Sequence, residues 1–170
     1  MRRSAAGLPH HLLGGRSRRP NLGLMDTLLT VLHVVTAVFL VGPMAILPMT
    51  GMRAVRAGNG PMVDLVARST RVFSLASVLV AVLGFGVVGM ADERFDLSVT
   101  TSWVLTSIVL YLVALALSLA LVVPSLGRAA AELTAGRADA ARALYGRIAA
   151  GSGIVSLLLI AVTVLMVWKP

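Results

Sequence analysis

The stretch "TLLTVLHVVTAVFLVGPMAILPM", residues 27–49, is apolar throughout except for three threonines, one histidine and two prolines. At about 1.5 Å of rise per helical residue, it is long enough to cross a hydrocarbon core roughly 30 Å thick. That length decides the fold. It also marks His33 as the first functional candidate, because an ionisable ring inside hydrocarbon is costly and calls for a partner or a ligand.

Working outward, the first apolar block extends over 27–52, and three more follow at 72–91, 103–124 and 148–168. The expected fold is all-α: a polytopic membrane protein, a four-transmembrane-helix bundle, in one domain over residues 25–170. A composition 58% hydrophobic and 13% charged agrees with it. Too little chain lies between the blocks for a separate soluble domain.

The chain has no cysteine, which excludes thiolate catalysis, disulfides, iron–sulfur clusters and cysteine-rich zinc sites. The formal net charge is +8, but the arginines flank apolar spans instead of forming a basic patch interleaved with aromatics. The lipid bilayer is therefore the expected partner, with no nucleic acid. Lysine occurs only at position 169 and every other base is arginine. With the excess of Ala, Gly and Val, this points to a GC-rich bacterial genome and to the bacterial plasma membrane.

Short loops rich in arginine stay in the cytoplasm. The first loop carries Arg53, Arg56, Arg68 and Arg71 against Asp64, and the third carries Arg128, Arg137, Arg142 and Arg147 against Glu132 and Asp139. The second holds Asp92, Glu93 and Asp96 against Arg94. Loops one and three are expected inside, and loop two and the C-terminus outside. Trp103 and Trp168 then fall at the outer interface and Tyr145 at the inner one, as interfacial aromatics prefer. The arginine-rich residues 1–24 contradict this arrangement. They are expected to be a disordered tail upstream of a true start at Met25, the alternative being a processed or export-related leader.

Local signals refine the helices. Pro43 and Pro48 remove amide donors and predict a kink in the first span. "GNGP", residues 58–61, reads as a turn with Pro61 opening the second helix. The third loop is alanine-rich, with Arg128 and Glu132 four apart on one face and a break near Gly136, and reads as a solvated helical hairpin.

"GFGVVG", residues 84–89, spells the dinucleotide-binding fingerprint, but that motif works only between a strand and a helix N-terminus. Inside a span, its small residues continue a stripe from Ser74, Ser77 and Ala81 and predict close helix packing. Ser107, Tyr111, Ala114 and Ser118 give the third helix a mildly polar face, and Ser152, Ser156 and Thr163 do the same for the fourth. His33 lies about 9 Å below Thr27, at the depth of Gly84–Gly89, Ser107, Tyr111 and Thr163. No carboxylate lies deep in any span, which excludes a carboxylate proton relay and a hard-cation site. One histidine supplies at most one axial haem ligand, with Met44, Met49 or Met90 as soft second candidates. The alternative is an imidazole that simply hydrogen-bonds across helices.

"LHVVTAVFLVGPMAILP" and the terminal "VTVLMVWKP" resemble segments of small four-helix membrane proteins. The likeness covers Met25–Pro170 and is to an uncharacterised, predominantly actinobacterial family of predicted membrane proteins. The chain is more remotely similar to copper-resistance D domains and HemJ-type protoporphyrinogen oxidases. In the latter, a first-helix histidine is a functional, haem-binding residue and a lysine near the C-terminus is also implicated; by this resemblance they correspond to His33 and Lys169. The arginine that follows Leu-Pro in that pattern is Met49 here, so a porphyrinogen carboxylate loses its basic partner.

Three readings result: a membrane protein holding an apolar redox cofactor, haem or quinone, near His33; a HemJ-like oxidase; or a non-enzymatic accessory or copper-handling protein. The candidate cofactor-binding residues are His33, Tyr111 and Lys169. No catalytic residue and no metal site is assigned, and a homo-oligomer or larger membrane complex is the expected assembly.

Overall fold

The computed structural model describes residues 20–90 and 101–168, and their regular structure is all helical. Four helices, Gly23–Arg56, Gly60–Gly89, Ser102–Thr134 and Ala138–Trp168, are each long and apolar enough to cross a membrane. They are the first to fourth spans below, and neighbours run antiparallel. The N-terminal residues 1–19, the acidic connection between the second and third spans, and Lys169 lie outside the described residues. The first helix is already formed at Pro20, ahead of Met25.

Two tight turns at the arginine-rich end join the first span to the second and the third to the fourth. Both are built alike. Gly58 has φ +69° and Gly136 φ +75°, a left-handed conformation that glycine adopts without a Cβ clash. Around Gly58, the Asn59 amide donates to Ala54 O and the Gly58 amide to Val55 O; around Gly136, Arg137 donates to Glu132 O and Gly136 to Leu133 O. These paired bonds are Schellman closures, which satisfy the last helical carbonyls. Asn59 then caps the second span by accepting the Met62 amide at 3.0 Å, with Pro61 in the first turn.

The helices run past the apolar blocks at this end. The second helix begins at Gly60, at the expected turn and ahead of the apolar block that starts at 72, and the third continues to Thr134, past the block that ends at 124. There the helices are amphipathic: Leu126, Ala129 and Ala130 are buried while Arg128 and Ala131 are exposed. Such extensions are expected from the turn signals and the alanine-rich loop and not from continuous apolar runs, because a helix bordering water keeps one apolar stripe. The tightest core lies in this half, with Met44, Val55, Val63, Leu126 and Ile148 all essentially inaccessible. Gly51 permits it, since a Cβ there would sit 2.8 Å from Leu126 Cδ2 and 3.1 Å from Val66 Cγ1.

Toward the opposite end the helices are apolar all round. Val82, Phe85, Leu105, Val109 and Ile160 face outward, the pattern of a surface that meets lipid. The first and third spans each contain a wide turn, at Ala37–Val41 and Ser118–Val122. Each ends two residues before a proline, Pro43 or Pro124. In the third span the Val123 amide reaches Ser118 O, five residues back, so the chain absorbs the missing proline donor with an extra residue. Pro48, also expected to kink the first span, is buried inside the continuous helix Gly42–Arg56.

One expected pair does not form. Glu132 bonds Arg137 Nε instead of Arg128, because the turn at Gly136 brings Arg137 back over Glu132.

Candidate functional site

His33 is half-buried on the first span and turned toward the second. Its Nδ1 lies 2.9 Å from Val80 O. A carbonyl only accepts, so Nδ1 carries the proton and donates; in the neutral ring Nε2 is then a free lone pair. Gly84 provides the space for the ring. A Cβ at position 84 would lie 3.0 Å from His33 Cε1 and 3.4 Å from Nδ1. The first glycine of "GFGVVG" is thus a socket for imidazole. At the second, Gly86, a Cβ would only touch Leu29 Cδ1 at 3.7 Å, and at the third, Gly89, it would meet open space.

Val80 lies in a tightened turn of the second span, where its amide donates to Ser77 O, three residues back, at 3.0 Å. The helix Gly60–Ala76 ends at Ser77 and a second begins at Val78, without any proline. Ser77 Oγ donates to Ser74 O at 2.7 Å, which uses its one proton. Tyr111 OH, 2.8 Å from Ser77 Oγ, is therefore the donor in that bond. One turn away, Ser74 Oγ and Ser118 Oγ meet at 2.8 Å. His33 and Tyr111 consequently grip the same stretch, Ser77–Val80, from two different helices, and no hydrogen bond joins them to each other.

Other polar residues on the predicted faces act locally. Ser107 Oγ bonds Trp103 O, and Thr163 Oγ1 bonds Leu159 O, each four residues back. Ser156 Oγ crosses to Ala45 O at 3.1 Å and ties the fourth span to the first. Among the described residues no three His, Asp or Glu side chains gather as a metal site. Met44 and Met49 stand about 16 Å and 24 Å along the first helix from His33, too far to share one iron with it. An open groove of about 610 Å³, lined by Pro61, Asp64, Ala130 and Thr134 among others, lies at the far end of the second span from His33.

Val80 O and the Ser77 hydroxyl are the functional groups that sequence reasoning missed. Ser77 was visible as a small residue in a packing stripe, whereas a backbone acceptor has no letter of its own.

The Ser77–Tyr111 bond makes a direct prediction. In a double-mutant cycle of Ser77→Ala and Tyr111→Phe, thermal unfolding in detergent is expected to show a coupling of about 0.6 kcal/mol, with an upper bound of about 1.7. Strictly additive effects would mean that the hydroxyls do not pair.

No curated protein and no solved structure matches the chain. A family model described as a predicted integral membrane protein matches residues 27–170, which include all four spans except the start of the first. The chain therefore belongs to the DUF2269 family of predicted integral membrane proteins.

Proposed function

We propose that this multi-pass membrane protein binds a lipid-soluble redox cofactor, haem or quinone, at Nε2 of His33. The observation that supports the reading is the Nδ1–H bond to Val80 O, which fixes the ring and leaves Nε2 without a partner. Metal-bound imidazoles are oriented in this way, by donating their other N–H to a carbonyl. The same lone pair accepts a hydrogen bond from a quinol hydroxyl. Leu32 and Val34 beside His33 are exposed, so a ligand dissolved in lipid reaches the ring sideways. When bound, such a cofactor supplies one-electron or two-electron chemistry; the chain positions it and excludes water.

Tyr111 takes part as a positioning residue, through Ser77. Lys169 is proposed to meet an acidic group of the ligand. In this reading the arginine-rich turns face the cytoplasm and the C-terminus faces outward. The HemJ-like alternative lacks a basic group at the Leu-Pro position, where Met49 is exposed instead.

The test is the visible spectrum, extractable quinone and metal content of the detergent-purified protein and of His33→Ala. A Soret band or bound quinone that disappears in His33→Ala is the expected result. Bound copper would favour the accessory reading. Colourless, quinone-free and copper-free protein would reduce His33 to a helix-joining side chain.

A further inference from the structure

Eight arginines stand at the turn end of the described bundle against three carboxylates. All three acids are already paired: Asp64 with Arg68 at 2.7 Å, Glu132 with Arg137, and Asp139 with Arg142 at 3.5 Å. Arg53, Arg56, Arg71, Arg128 and Arg147 have no acidic partner among the described residues, and all five are exposed. They are contributed by all four spans. The contacts of Gly51 with Val66 and Leu126, and of Ser156 with Ala45, set the register between helices. On that register Arg53, Arg128 and Arg147 lie at similar heights, and Arg71 lies about 10 Å farther into the bundle.

One member of this ring is held in place. The Arg56 guanidinium lies over the Tyr145 ring, 4.5 Å from its centre. Stacking occupies a face of the guanidinium and leaves the N–H edge free to fork a phosphate. Arg53 is three residues away, on the same side of the helix. Met49, one turn from Arg53 toward the apolar half, and Val72, next to Arg71, are exposed and apolar. The surface thus offers cations where headgroups lie and hydrocarbon contacts where acyl chains begin.

We propose that this ring binds the phosphates of acidic phospholipids, with its tightest position at Arg53, Arg56 and Tyr145. The partner is the membrane's own lipid and not a soluble anion, because the cations adjoin exposed apolar residues. It is independent of the reading of His33, which lies in the other half of the bundle. An arginine at an anionic membrane surface contributes about fivefold in affinity, so two together contribute about 25-fold.

Native mass spectrometry of the full chain, purified and exchanged against equal phosphatidylglycerol and phosphatidylcholine, tests it. Wild-type protein is expected to retain phosphatidylglycerol preferentially. R53Q/R56Q should lose about 25-fold in that preference, and Tyr145→Leu about as much as Arg56→Gln alone, while Tyr145→Phe and the ion-paired control Arg137→Gln should stay near wild type. The arginine changes are at exposed positions, Tyr145 is half-buried against the core, and unchanged thermal midpoints of every variant would confirm folding. Equal retention of the two lipids by wild type, an equal loss in Arg137→Gln, or capture of inorganic phosphate without lipid preference would overturn the proposal.

Discussion

Gly51→Val is expected to destabilise the bundle by about 3 kcal/mol, the upper end of what overpacking a filled core produces. The Cβ alone would come within 2.8 Å of Leu126 Cδ2 and 3.1 Å of Val66 Cγ1. Neither neighbour has room to retreat, since Leu126 is fully buried and Val66 nearly so. Gly51→Ala should be milder, because alanine regains about 1 kcal/mol of helix propensity against a smaller clash. Leu126→Ala should cost about 2–5 kcal/mol through the cavity it leaves. The combination is diagnostic: with Leu126 shortened, a methyl added at position 51 gains space, so Gly51→Ala/Leu126→Ala should be more stable than the sum of the single changes. Thermal unfolding of the four proteins in one detergent checks this, and additivity would show that positions 51 and 126 do not face each other.

The second large effect concerns the His33 socket. Gly84→Val should force the imidazole off the second span, break its bond to Val80 O and destabilise the protein by about 1–3 kcal/mol. The clash is with the ring, so its size should depend on the ring being present. In a His33→Ala background, Gly84→Val should be nearly neutral. If valine at 84 is equally harmful in both backgrounds, something other than His33 fills the socket. The nitrogen NMR signals of the imidazole provide an independent reading, as Nδ1 should lose its protonated character in Gly84→Val. Any cofactor held at Nε2 should be lost with it.

The number of spans was legible because nothing but a membrane-crossing helix needs four apolar blocks of that length. The turns were legible too: "GNGP" and Gly136 carry the residues that left-handed closures require. The helix extensions at 60–71 and 125–134 were legible from Pro61 and from the alanine-rich third loop, although arginines and alanines on a water-facing side dilute the apolar signal there. The Arg128–Glu132 spacing misled, since i to i+4 geometry is local while Arg137 returns through a turn. At the candidate site His33 declared itself by being ionisable in an apolar run. Its partner did not, because Val80 acts through its backbone and Gly84 through having no side chain. Whether Tyr111 faced lipid or a neighbour was equally hidden: helical period gives a shared face but not the helix opposite it.

The two Schellman turns limit how the nascent chain can enter a bilayer. From Arg56 to Gly60, and from Thr134 to Ala138, the backbone has four residue steps, which span at most about 14 Å when fully extended. Hydrocarbon is about twice as thick. Neither turn can thread across it, so the two helices of each pair must cross in opposite senses, with their shared turn on one side. Orientation is then chosen once per hairpin, not once per helix. Four helices that could in principle be threaded independently become two insertion decisions, and the arginines clustered beside both turns bias each of them the same way.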